Sequence, residues 1–300
     1  MYYLIYGLLY LLSLLPWFVL YGISDLLAFL VWNVIGYRRD VVLGNLRIAF
    51  PEKSEAERAK IARAFYRQFT DTLVESVKVI SMGERGLRKK FISNQEHLDA
   101  VSTLGPRVHV HAMHNFNWEI LNLGIARDSR MPFMAVYMPL GNKHLERIFQ
   151  RVRSRLGTIL IPATEFKTDF RKYENSSYMI ALVADQNPGS PAHAYWANFF
   201  TKAAPFVRGP ERAASARKLP VVFANFFPVR RGVYSFEMTI VTHDASALPE
   251  GELTRRYIRF VEDCIRKRPA NYLWSHRRWK YSWKSEYQPF TLEPPMSGSV

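Results

Sequence analysis

The chain has 300 residues, 48% of them apolar and 14% aromatic, enough to build the core of one or two domains. Charged residues make up 22%, close to the ordinary globular share, which excludes wholesale disorder. Forty-one Lys and Arg against 26 Asp and Glu leave a net charge of +15, so the expected partner is negative: nucleic acid, an anionic membrane or an acidic carrier.

Between Tyr2 and Tyr37 the one formally charged side chain is Asp25. About 20 apolar residues suffice to cross a bilayer core as a helix. This run is longer, and Pro16 and Asp25 interrupt it. It reads as a tilted span, a span with an interfacial helix, or a hairpin that dips in and returns; a pair of buried core helices is the bland alternative. A cleavable signal peptide fits poorly, because no basic region precedes the run and Arg38-Arg39 follow where small residues would be needed. The positive-inside tendency puts Arg38, Arg39, Arg47 and the basic body in the cytoplasm. A membrane anchor over residues 1–37 and one catalytic domain over 38–300 is the expected division.

Ser54-Glu55-Ala56-Glu57 is a capping box that opens a helix to about Ile80, with Ile61, Phe65, Phe69, Leu73 and Val77 at helical spacing. Strands are expected at 107–113, 133–137, 158–161, 178–184, 220–228 and 234–242. Helices are expected over about 117–126, 143–156 and 253–268. Strands and helices alternating in this rhythm imply an α/β fold with a central mixed sheet flanked by helices. Cys264, the lone cysteine, falls within the last helix and excludes a disulfide framework or a CxxC site. The short tail Pro294–Val300 is the one low-complexity segment.

The chemistry centres on His114-Asn115-Phe116-Asn117-Trp118-Glu119. On one continuous helix, residues five apart lie roughly 140° apart, so His114 and Glu119 meet only if the chain turns between them. Asn117 supplies that turn as an N-cap, placing Glu119 in the first helical turn. A strand end would then present His114 as a general base, with Glu119 holding its other ring nitrogen. His109 and His111 alternate along the preceding strand, but no cysteine or dense carboxylate cluster completes a ligand set, so no metal is expected. Asp185 suits an orienting or substrate-contacting carboxylate, or equally a strand-end cap. Gly209–Arg212 suits a phosphate-holding turn, or a plain one. His276 reads as structural.

HNFNWE resembles the His-x4-acid block of lysophospholipid-type acyltransferases and, more narrowly, the H-F-G-N-W-E form of the bacterial lipid A late acyltransferase (lauroyl/myristoyl) family. Asn45–Glu52 with the capping box and Arg58 resembles that family's N-L-x-x-A-F-P-E segment. Tyr137–Asn142 is similar to its Y-R-P-x-x-N block, with Met138 in place of Arg; Phe116 likewise replaces Gly. Arg153 matches its helix-borne arginine by spacing, Asp185-Gln186 its D-Q pair, and Phe199-Phe200 with Gly209–Arg212 its third block. Tyr272–Lys280 is very close to its C-terminal Y-L-W-x-H-R-R-W/F-K.

The resemblance implies acyl transfer from an acyl thioester, on acyl carrier protein or coenzyme A, to a hydroxyl of a lipid A-type glycolipid at the bacterial inner membrane, with the site facing the cytoplasm. His114 and Glu119 would be catalytic, and Asn117, Arg153, Asp185, Gly209 and Arg212 would contact substrate. No cofactor beyond the thioester co-substrate is expected. An anionic membrane surface fits the cationic run Arg255–Lys284, whereas no nucleic-acid motif appears. Alternatives are another lipid acceptor (an aminolipid, a lysophospholipid or a phosphoinositide mannoside) and a non-catalytic basic membrane-binding protein.

Overall fold

A computed structural model describes residues 1–294, so the C-terminal tail beyond Pro294 lies outside the described residues. Two apolar helices open the chain, α1 (Tyr2–Leu14) and α2 (Trp17–Leu30), broken at Pro16 and prolonged by a π-helical turn, Val31–Ile35. Four helices follow: α3 (Arg39–Ala49), α4 (Glu55–Lys78), α5 (Glu84–Lys90) and α6 (Gln95–Ser102). The α/β body then runs β1 (Arg107–Ala112), α7 (Trp118–Asp128), β2 (Phe133–Tyr137), α8 (Lys143–Ser154), β3 (Ile159–Pro162), α9 (Phe166–Phe170) and β4 (Tyr178–Val183). It closes with β5 (Tyr195–Phe199), β6 (Lys202–Phe206), α10 (Gly209–Ala216), β7 (Val221–Arg230), β8 (Val233–Thr242) and α11 (Glu252–Lys267).

Six strands form one mixed sheet in the order β3-β2-β4-β1-β7-β8. All are parallel except β8, which returns antiparallel on β7. The six expected strands are these six. The β5–β6 hairpin is a separate two-stranded sheet that the sequence reading did not anticipate. Its second strand, Lys-Ala-Ala-Pro-Phe, has none of the β-branched residues that mark a strand. The capping box of α4 forms as expected: Ser54 Oγ accepts from Glu57 N–H, and Glu57 Oε2 accepts from Ser54 N–H at 2.8 Å.

α1 and α2 rest on the body. α2 runs antiparallel along α4: Ser24 donates to Asp71 Oδ1 at 2.6 Å, Asp25 pairs with Arg67 at 3.2 Å, and Trp32 packs on the Tyr66 ring. Arg231, in the β7–β8 turn, clasps both Asp25 and Asp71 at 2.7 Å. Lys78 donates to the carbonyls of Ser13 and Leu15, holding the α1–α2 corner. The outer faces stay uncovered, with Leu4, Leu8, Leu11, Phe18, Leu26 and Phe29 exposed. By length and composition Trp17–Ile35 could cross a membrane, yet here it lies lengthwise on a helix carrying Arg63, Arg67, Asp71, Glu75 and Lys78.

Candidate active site

In a parallel sheet, ligands gather at the carboxyl ends of the strands. β1 pairs with β4 so that Ala112 lies opposite Val183, and two residues past each strand end this register brings His114 level with Asp185. Asp185 is fully buried, and its Oδ1 accepts from the ring Nδ1 of His114 at 2.8 Å and from the His114 backbone N–H at 3.2 Å. A carboxylate accepts only, so it fixes the tautomer with the proton on Nδ1 and leaves Nε2 as the basic nitrogen. Among the described residues nothing hydrogen-bonds Nε2, and the side chain keeps 29% of its surface open. Burial pulls the imidazole pKa down, but the charge and hydrogen bond of Asp185 outweigh it, leaving the pKa raised. Burial likewise pushes the Asp185 carboxyl up, and the His114 contacts bring it below its ordinary value.

This corrects the sequence reading of Glu119. α7 begins at Trp118, and Asn117 caps it as expected, its Oδ1 accepting from Glu119 N–H at 2.9 Å and Ile120 N–H at 3.4 Å. From that second helical position Glu119 faces α8, where the guanidinium of Arg153 grips it from Nε (3.0 Å to Oε2) and Nη2 (2.5 Å to Oε1). Its carboxylate therefore holds Arg153, and the imidazole belongs to Asp185. Asn117 is corrected too. It is buried, does not line the cavity, and spends its amide on the cap and on Glu75, a placement that gives it a structural part.

An apolar cavity of about 300 Å³ opens beside this constellation, with His114, Glu119 and Arg153 in its wall. It runs between the sheet and α7, past Leu121 and Ile125 on one side and Val110, Ala135, Met179 and Ala181 on the other. The strand register explains the space. Ala135 lies opposite Ala181, and Ala181 opposite Val110, so three neighbouring strands present short side chains in one row. Phe133, Phe226 and Met238 also line it. His109 and His111 point to the other face of the sheet, where burial pushes their pKa values to about 4 and about 3.

The C-terminal signature packs onto the site. Leu273 N–H donates to the His114 carbonyl at 3.2 Å, and Asn45 Nδ2 donates to the carbonyls of Trp274 and His276 at 2.8 and 2.7 Å. His276, which burial and then the neighbouring Arg278 push down to about 4, accepts from Asn187 N–H through Nε2. Arg278 is fully buried over the Phe206 ring, so the cationic run Arg255–Lys284 is partly internal.

The model of the bacterial lipid A biosynthesis acyltransferase family matches residues 1–281. The chain belongs to that family. It is thus an acyltransferase, and curated relatives agree. It is 24% identical to the lipid A biosynthesis palmitoleoyltransferase of Escherichia coli K12 and, equally, to a lipid A biosynthesis acyltransferase of Shigella flexneri. Each alignment covers 81% of this chain and 79% of the relative.

Two of the expected substrate contacts sit apart from the acyltransferase's cavity. Gly209 and Arg212 lie in a separate hollow with His193, Arg208 and Arg217, away from the His114 cavity. Glu211 turns inward, where it accepts from Gly251 N–H at 2.6 Å and from Thr254, capping α11. One residue on, about 100° around α10, Arg212 faces solvent. Of the three arginines near the end of α8, only Arg153 lines the cavity; Arg151 is exposed, and Arg155 donates to the carbonyls of Val79 and Met82. Arg153→Lys should lose the two-pronged grip on buried Glu119, lowering stability by about 3 kcal/mol and turnover with it. Thermal melts alongside rate measurements check this; Arg151→Ala should match wild type in both. The sequence reading missed the Ala135–Ala181 row, whose one signal was alanine where strands prefer branched side chains.

Proposed function

We propose that the enzyme moves a fatty acyl chain from an acyl thioester, carried by acyl carrier protein, to a hydroxyl of a lipid A-type glycolipid precursor at the cytoplasmic face of the bacterial inner membrane. The observation that carries this reading is the His114–Asp185 pair at the wall of an apolar cavity. Nε2 of His114 takes the proton of the acceptor hydroxyl as its oxygen attacks the thioester carbonyl. Asp185 accepts Nδ1–H throughout and stabilises the imidazolium. The tetrahedral oxyanion collapses, the C–S bond breaks, and the thiolate leaves with the proton returned from Nε2. Arg153, which lines the cavity with His114 and keeps Nη1 outside its grip on Glu119, is the cationic donor we assign to the oxyanion or to an anionic acceptor group. The thioester supplies the activated acyl group, so the chemistry needs no further cofactor.

The cavity suits a hydrocarbon chain, and the relative named for palmitoleoyl transfer points the same way. Ala135→Leu or Ala181→Leu should shorten it. Each methylene that no longer fits loses roughly 0.8 kcal/mol, so the preferred donor should shift to shorter chains. Mass spectrometry of the products from acyl donors of graded length reads this directly, and an unchanged profile would place the chain elsewhere. The same assay tests the function. Donors on acyl carrier protein and on coenzyme A are compared with a lipid A precursor in mixed micelles, and no transfer to that precursor from either donor would overturn the reading.

Because α2 lies along charged α4, the apolar segment reads best as lying in one leaflet, outer face in lipid. Replacing exposed Leu8, Leu11 and Phe18 with Ser should release the protein from vesicles in part, each loss being worth about 1.5–3 kcal/mol. The binding left over should fade with salt, since it rests on the cationic surface. Co-sedimentation with anionic vesicles at two salt concentrations measures both components.

A further inference from the structure

Glu75 takes no part in the chemistry above, yet it is fully buried and sits between the apolar N-terminal helices and the site. Three donors from three elements converge on its carboxylate. Tyr21 of α2 donates its hydroxyl to Oε1 at 2.8 Å, Tyr234 of β8 donates to Oε2 at 2.6 Å, and the amide nitrogen of Asn117 donates to Oε2 at 2.7 Å. The other end of that amide caps α7, receiving the backbone N–H groups of Glu119 and Ile120. Burial pushes the Glu75 carboxyl up and the bonds from Tyr234, Asn117 and Tyr21 oppose it; its Oε2 accepts the Asn117 nitrogen while the amide oxygen receives the helix N–H groups, so the amide is anchored at both ends. With no acceptor at position 75, the buried amide nitrogen loses its partner, and the side chain that caps α7 is held only by the N–H groups it receives.

We propose that Glu75 is a positioning residue for acyl transfer, coupling the seating of α2 on the body, through Tyr21, to the Asn117 cap that sets Glu119 and hence Arg153 in the site. The proposal rests on the acyl-transfer reading of the His114 cavity. Lipid that presses α2 onto α4 would in this way also order the first turn of α7.

The test uses the full-length protein in micelles with an acyl thioester and a lipid A precursor. Turnover is measured together with hydrogen exchange at the amides of Glu119 and Ile120. Glu75→Leu removes every acceptor and should lower kcat about tenfold or more with KM for the donor little changed, while the two amides exchange faster. Glu75→Gln can still accept from Asn117 and Tyr234 and donate to the Tyr21 hydroxyl, so it should recover kcat to within about threefold of wild type. Tyr21→Phe should cost about threefold in kcat and speed the same exchange.

Ser24→Ala removes a buried contact of the same interface, to Asp71 and Thr70, that does not reach Asn117, and should leave both readouts at wild-type values. Wild-type kcat or unchanged amide exchange in folded Glu75→Leu would overturn the proposal. So would equal losses for Ser24→Ala and Tyr21→Phe, a comparison that decides the matter even if Glu75→Leu does not fold. If wild type transfers nothing, or His114→Ala matches it, the acyl-transfer reading fails. Exchange at Glu119 and Ile120 still reports the linkage in that case.

Discussion

His114→Ala is expected to reduce acyl transfer by roughly 10³-fold or more while the protein stays folded and bound to membranes. A positioned general base contributes about 10²–10⁴-fold, and an unassisted hydroxyl is a weak nucleophile towards a thioester at neutral pH. Among the described residues the imidazole makes one side-chain hydrogen bond, to Asp185, and it is part-exposed, so its removal costs the fold little beyond that contact. The Asp185 carboxylate left behind keeps the backbone N–H of residue 114 and can take up a proton. Thermal unfolding and vesicle binding near wild type, with transfer lost in the product assay, is the expected combination. Near-normal turnover in a folded His114→Ala protein would remove the general-base role.

The second large effect is expected at Asp185, with its sign legible in the pH profile. Asp185→Asn keeps the shape, but its amide can offer its nitrogen to Nδ1 and so favour the wrong tautomer. Turnover should fall about 10²–10⁴-fold. In the wild type Asp185 favours the imidazolium and holds the His114 pKa above 6.5, so kcat/KM should be lost as pH falls through that raised value. With the charge gone, only burial remains, and burial disfavours the imidazolium. The acid limb of the variant should therefore move to lower pH even as its plateau drops. An unmoved limb would show that another group holds the imidazole. Glu119→Gln should leave that limb in place, because its carboxylate pairs with Arg153.

Local signals carried the elements that local chemistry builds. The Ser54–Glu57 box and the Asn117 cap were legible because a cap is made by side chains reaching backbone N–H groups two or three residues on. The six sheet strands were legible because apolar runs end where turn residues begin. His114 at a strand end and Glu119 in a first helical turn followed from the same short-range rules.

What the imidazole touches was beyond their reach. Glu119 is five residues from His114 and Asp185 is 71 away, yet the β1–β4 register levels Asp185 with the ring while the helix start turns Glu119 towards Arg153. Register likewise lined up Ala135 and Ala181 into a cavity that no single strand contains. Hydropathy alone could not choose between a span and a hairpin on the surface, because both need the same apolar residues. The contacts of Tyr21, Ser24 and Asp25 with α4 and Arg231 place the segment on the body. Partners distant in sequence meet only when strands pair and helices pack, and those free energies belong to the whole chain rather than to any window of it.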